Sequence, residues 1–258
     1  MASDETGSAV VTGRANRLVT TGCLTILIAL IIVLGVVVSW LWYRHWHDGN
    51  VNSERREQAL ASILKQARAE ADDTARALDT SGTADADALT GVIWRQSQAP
   101  VITYDASRRE FTATAAGSVV YDEVSIMPGG GPVRVTRCLV STYAHHPGRT
   151  WTSRVTERDD DACLPGTEID GQVRLARTRI SLMHAEDLTR TGVQKALDPN
   201  GRLRFYDVRS AVRKGDTVTV SILVSSPGTT AGQCYRFTRP VAGDVGQSST
   251  TAIPASSC

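Results

Sequence analysis

Between Arg17 and Arg44 the chain carries no charged residue, and Leu24 to Leu41 is almost wholly aliphatic. About 20 apolar residues rising 1.5 Å each cross a ~30 Å hydrocarbon layer, so this stretch predicts one transmembrane helix, bounded at 18–43. No face of it is polar, which argues against a core helix of a globular domain. A cleaved signal peptide would have a shorter apolar core followed by a small-residue cleavage site. Here the run ends instead in Trp40, Trp42, Tyr43 and Trp46, amphipathic rings suited to anchor the membrane interface. The segment therefore reads as a signal anchor, with residues 1–17 a short, polar, disordered cytoplasmic tail. Cys23 is no lipid-attachment site, because Thr20 stands where an aliphatic residue is needed and the apolar run follows it.

A second helical pattern follows. Asp48-Gly49-Asn50 marks a break, and Ser53 to Leu78 lacks Gly and Pro, with Ser53 as its N-cap. Leu60, Leu64, Ala67, Ala71, Thr74 and Leu78 recur at heptad spacing. Residues 48–82 are thus expected to form a helical stalk. Its apolar seam has two readings: a short coiled coil making a homodimer, or an amphipathic helix lying on its own domain. The seam is short and Ala-rich, which favours the second.

From residue 100 the period changes to two. Val218, Val220, Ile222 and Val224 alternate with polar residues, as a half-buried strand does. Val120 to Ile126 and Val133 to Thr142 read as a hairpin around Pro128-Gly129-Gly130-Gly131-Pro132, and Leu203 opens another strand. Helices are expected at Asp87 to Gln96 and Ala185 to Leu197, the latter stopped by Asp198-Pro199. Leu89-Thr90, Tyr104-Asp105, Gly117, Cys138 and Cys163 are followed in the same order by Leu188-Thr189, Tyr206-Asp207, Gly215, Cys234 and Cys258. The shift stays close to about 100 residues, which suggests tandem α-β-β-β repeats at 85–165 and 183–258. The fold class is therefore α+β: transmembrane helix, stalk helix, and an antiparallel β-rich domain over 83–258.

The four cysteines of that domain, Cys138, Cys163, Cys234 and Cys258, lack C-x-x-C spacing and fit two disulfides in an oxidising compartment. A duplication would pair Cys138 with Cys163 and Cys234 with Cys258; the rival pairing is Cys138–Cys234 with Cys163–Cys258. Cys258 weighs most, since it closes a Ser/Thr/Gly/Pro-rich tail that would otherwise fray. Flanking charges do not set orientation: Arg14 and Arg17 lie on one side of the helix, Arg44, Arg55 and Arg56 on the other. The cysteines place the C-terminal domain outside the membrane and the N-terminus in the cytoplasm.

Charge and motifs narrow the chemistry. With 28 basic against 27 acidic residues and a net charge of +1, nothing favours a nucleic-acid partner. His45, His47, His145, His146 and His184 form no metal-ligand spacing, and Asp159-Asp160-Asp161 lacks the spaced oxygens of a calcium loop. No G-x-S-x-G, S-x-x-K or H-E-x-x-H occurs, so no catalytic residue, metal or cofactor is nominated. The basic residues are nearly all Arg; only Lys65, Lys195 and Lys214 are lysines, as in the coding bias of high-GC bacteria. In layout (basic tail, helix ending in Trp, Ala/Arg-rich stalk, Thr/Val-rich domain with Cys pairs) the chain resembles single-pass envelope proteins of high-GC Gram-positive, actinobacterial type. It is loosely similar also to pilin-like proteins, but lacks their early acidic residue. The layout implies a membrane-anchored binding module, a subunit of an envelope complex, with the lipid bilayer and another envelope protein or cell-wall component as partners. The alternative is a membrane-tethered enzyme such as a cell-wall hydrolase.

Overall fold

The computed structural model describes residues 12–125, 130–146, 148–202, 205–241 and 250–258, with side chains described from Leu24 onward. It divides into two compact units, Met1–Arg56 with Asp122–Val133, and Glu57–Tyr121 with Arg134–Cys258. One helix, α1 (Thr12–Thr80), belongs partly to each.

In the first unit α1 carries an 18-residue window that is apolar on every face, with a mean hydropathy of 2.9 and none of it buried. Among the described residues this is the one helix long and apolar enough to cross a membrane, which suggests membrane anchoring. The backbone is helical already from Thr12, so residues 12–17 are not the irregular tail expected; residues 1–11 lie outside the described residues. No break occurs at Asp48-Gly49-Asn50 either. One glycine costs a helix only about 1 kcal/mol, and the strong helix formers that follow outweigh it. The stalk is therefore a continuation of α1 rather than a second helix. Asn52 holds the chain at Val124 by a reciprocal pair: its Nδ2 donates to the Val124 carbonyl at 2.8 Å and its Oδ1 accepts the Val124 N–H at 2.9 Å. Arg55 donates to the Asp122 carbonyl at 2.8 Å.

The second unit holds two lobes, each built from a helix pair and a four-stranded antiparallel meander. In the first lobe, α1 from Glu57 onward and α2 (Ala86–Ser97) precede β1 (Val101–Asp105), β2 (Glu110–Asp122), β3 (Pro132–Ala144) and β4 (Thr152–Arg158). In the second, α3 (Leu164–Ser181) and α4 (Arg190–Leu197) precede β5 (Tyr206–Lys214), β6 (Thr217–Ser225), β7 (Gly232–Pro240) and β8 (Thr251–Ala255). Each sheet runs in sequence order, and each covers a separate core. Ala71, Leu78, Leu89, Ile93, Ile102, Phe111 and Tyr143 fill the first; Ile169, Val173, Val193, Leu197, Val220, Ile222 and Phe237 lie in the second.

The heptad seam lies against its own sheet. Ala71, Thr74 and Leu78 are buried and Leu60, Leu64 and Ala67 half-buried. Asp72 accepts from the Ser153 hydroxyl at 2.5 Å, and Asp79 from the Trp151 N–H at 2.9 Å. Gly117 lets β2 approach the helix, since a Cβ there would lie 2.7 Å from Cγ2 of Ile63. From Ala71 to Leu78 this face of α1 thus packs on its own sheet, as the second reading of the seam expects.

Helix α3 was not foreseen, although Ile169, Val173, Ala176 and Ile180 form its buried stripe at helical spacing. Leu164-Pro165-Gly166 and the internal Gly171 disguise it, yet proline is at home in a first helical turn. The helix expected over Ala185 to Leu197 is split into a 3-10 turn (Ala185–Asp187) and α4, capped by Thr189, whose Oγ1 accepts the Gly192 N–H at 3.1 Å. Gly192 sits against the Asp187 carbonyl oxygen, which a Cβ would overlap. Gly192→Ala is therefore expected to lower the unfolding free energy by about 1–3 kcal/mol, measured by urea denaturation, despite alanine's better helix propensity. The strand expected from Leu203 begins at Tyr206, with 203–204 outside the described residues. The tail at 242–257 carries β8; residues 242–249 lie outside the described residues.

Candidate functional site

Two disulfides frame the junction of the lobes. Cys138 is joined to Cys163, and Cys234 to Cys258, with Cα atoms 5.4 Å apart in both. The topology is the same: Cys138 stands opposite Arg158, the last residue of β4, and Cys234 opposite Ala255, the last residue of β8. Each bridge thus ties the third strand of a sheet to the chain leaving the fourth. The first fixes the entry to α3; the second fixes the segment beyond β8, which touches the first lobe.

Pro100-Val101-Ile102 is the other half of the junction. Pro100 accepts the Tyr235 hydroxyl at 2.6 Å, Val101 packs on the second core, and the Ile102 N–H donates to Oε1 of Gln233 at 2.9 Å. Gln233 is 4% exposed and its Nε2 donates to the Ala255 carbonyl at 2.8 Å. One amide therefore satisfies an edge group of β1 and an edge group of β8. Burial, with the Asp170 charge adding to it, pushes the Tyr235 phenol well above its ordinary range, so it stays a neutral donor. Helix α3 comes close here because Gly166 faces Pro100, 3.3 Å from where a Cβ would stand.

Asp87, in the first turn of α2, is the charged tie. It accepts the Ser256 N–H at 2.9 Å and the Ser256 hydroxyl at 2.6 Å, and pairs with Arg236 of β7. Burial alone would raise its pKa, but the Ser256 hydrogen bonds and the Arg236 charge outweigh that and hold it below 3.8. A carboxylate whose folded pKa is depressed stabilises fully above its unfolded value and loses that contribution as pH falls through the folded one. Stability is thus expected to fall as acid titrates Asp87 below about pH 4, and Asp87→Asn to flatten that limb, measured by urea unfolding from pH 2 to 6.

Above the junction lies a cleft of about 520 Å³, lined by Trp94, Gln98, Ala115, Ala116, Asp170, Arg174 and Arg177 among others. Helix α2 presents Trp94 one turn before its end, where Gln98 takes a left-handed conformation (φ 50°) and donates its N–H to the Trp94 carbonyl at 2.8 Å. Helix α3 presents Asp170, Arg174 and Arg177 along one side. Asp170 is bound by Arg174 one turn on, while Arg177 has no ion pair among the described residues. A half-buried indole, an unpaired cation and a floor of alanines can hold a partly apolar, acidic group.

None of these cleft residues was nominated from sequence: Asp170, Arg174 and Arg177 lie on the helix that was missed, and the one local signal was Trp94 near the end of α2. Trp40, Trp42, Tyr43 and Trp46 all project from α1, more than half exposed, with Arg44 over the Trp40 ring at 5.3 Å. They belong to the first unit, and none of them lines the cleft. His145 lies against Trp151 in a tilted arrangement with ring centroids 5.0 Å apart, and Asp160 pairs with Arg137 at 3.7 Å. Among the described residues no group of three or more His, Cys, Asp or Glu could hold a metal ion. No family model, curated protein or solved structure matches this chain.

Proposed function

We propose that this protein is a membrane-anchored, extracytoplasmic interaction module, a subunit of an envelope complex, whose two-lobed head binds another envelope protein or cell-wall component. The cleft at the disulfide-framed junction carries the reading: an aromatic wall, an Arg177 without an ion pair among the described residues and small floor residues form a recognition surface. The apolar half of α1 supports anchoring as an uncleaved signal anchor, and the exposed Trp40, Trp42, Tyr43 and Trp46 suit the bilayer interface. The two bridges support an oxidising location for residues 83–258 with the N-terminus in the cytoplasm.

The lobes are read as one unit used twice. Support comes from the shared order of helix pair and four-strand meander, and from bridges at topologically equivalent places. Sequence equivalences chosen for the duplication do not all coincide in space. Tyr104 stands beside the β1–β2 turn, opposite Phe111, whereas Tyr206 opens β5, opposite Val224. The repeat is carried by element order and cysteines, and it starts with α1 and α3 rather than at 85 and 183.

The test places a photoreactive phenylalanine analogue at Gln98 of the full chain in its native membrane. A discrete protein or glycan adduct, lost on Trp94→Ala, is expected. Adducts to lipid alone, or adducts indifferent to Trp94, would contradict the reading.

A further inference from the structure

The geometry points to strand addition: β2 offers an open edge, three hydrogen-bonding residues long, to an extended acidic peptide segment of a partner protein. Strand β1 covers only the first part of β2, ending at Val101 opposite Thr114. The side facing outward follows from one bond. The Ile102 N–H leaves the sheet to reach Gln233, so Val101, Thr103 and Asp105 are the residues that turn inward to β2. Their partners Thr114, Thr112 and Glu110 face β1, and by the two-residue period Ala116, Ser118 and Val120 face the same side. Nothing among the described residues bonds their backbone groups from that side. The next residues of the same parity are occupied: the Asp122 carbonyl by Arg55, and both groups of Val124 by Asn52.

Exposed sheet edges are templates for pairing, and proteins blunt them with charge, bulges or proline. The other edges here are blunted. Strand β4 carries Arg154, Glu157 and Arg158; β5 carries Arg209, Arg213, Lys214 and a bulge at Val208/Ser210; β8 carries Pro254. In lobe two, β5 covers β6 from end to end. The open run Ala116-Gly117-Ser118-Val119-Val120-Tyr121 has no charge and no proline, and Val120 is 51% exposed.

The occupant's charge follows from where the edge begins. Ala115 and Ala116 line the cleft together with Trp94, Pro100 and Arg177. A strand continuing the line of β1 along this edge enters the cleft at one end, where Arg177, without an ion pair among the described residues, favours a carboxylate. A segment of about six residues, alternating β-branched side chains and ending in an acidic residue, fits both features.

This rests on the binding reading above, but it fails separately: a partner captured at Gln98 without strand pairing would leave that reading standing. The experiment is hydrogen exchange on the full chain in nanodiscs, with the peptide Ac-Thr-Val-Thr-Val-Thr-Asp as probe and its Lys-amide analogue as control. In the free chain the amides of Ala116, Ser118 and Val120 are expected to exchange fast, and those of Gly117, Val119 and Tyr121 slowly. The acidic peptide at millimolar concentration is expected to slow the first three at least tenfold. The Lys-amide peptide should not, and Arg177→Glu should reverse the preference. Ser118→Pro, which removes an edge donor but no ladder bond to β3, should abolish protection and leave Tm nearly unchanged. Absence of protection by the acidic peptide, or equal protection by both, overturns the proposal. So does protection that grows with protein concentration without peptide, which would assign the edge to a second copy.

Discussion

Replacing Cys234 and Cys258 together by serine is expected to lower the unfolding free energy of the head by about 3 kcal/mol, and removing both bridges by about 6. The loops closed are 24 and 25 residues long, so the chain-entropy terms are nearly equal. Against a total stability of about 5–15 kcal/mol, losing both leaves a marginal head. The consequences differ in kind. Cys163 is followed directly by α3, so the Cys138 bridge governs how the second lobe begins. Cys258 lies two residues beyond Ser256, which holds Asp87 of α2, so the second bridge also governs the junction. The Cys234/Cys258 variant is therefore expected to lose protection at the Ser256 and Ile102 amides before the two cores open. Urea unfolding followed by exchange at those amides measures it.

The fold was legible where one local pattern decided it. The apolar block of α1, the alternation in β6 and the cysteine spacing each carried their element. What escaped depended on contacts across the chain. The seam of α1 could face a partner or its own sheet, and contacts distant in sequence, Asp72 with Ser153, Asp79 with Trp151 and Ile63 with Gly117, lay this part of the helix on the sheet. Helix α3 escaped because Pro165, Gly166 and Gly171 dilute its helical pattern, while its buried stripe, Ile169 to Ile180, matters only once a sheet lies beneath it. Missing α3 hid the cleft, since Asp170, Arg174 and Arg177 are neighbours only on a helix. The open edge of β2 was invisible for a further reason: it depends on where β1 stops, which is a matter of register rather than composition.

Gln233→Leu is the second large effect. The substitution keeps most of the volume and removes both amide groups, leaving the Ile102 N–H and the Ala255 carbonyl without their side-chain partner in a buried place. Each unpaired buried group costs about 1–3 kcal/mol, for a total near 2–5 kcal/mol. Gln233→Glu is expected to keep the acceptor for Ile102 but to set a carboxylate oxygen against the Ala255 carbonyl, and so to be destabilising as well. A surface exchange such as Arg158→Gln, which touches neither lobe's core, is expected within about 0.5 kcal/mol of the parent. Comparing the three by urea denaturation separates loss at the junction from a general effect of substitution. If Gln233→Leu unfolds like the parent, the lobes are not held by this amide.

An oxidised head outside the membrane is the premise on which the binding reading stands, and thiol labelling of intact cells tests it most directly. In a Cys23→Ser background, a membrane-impermeant maleimide is expected to leave the untreated protein unlabelled and to label four cysteines after an impermeant reductant. Labelling that needs lysis but no reductant would place free thiols in the cytoplasm and contradict the account.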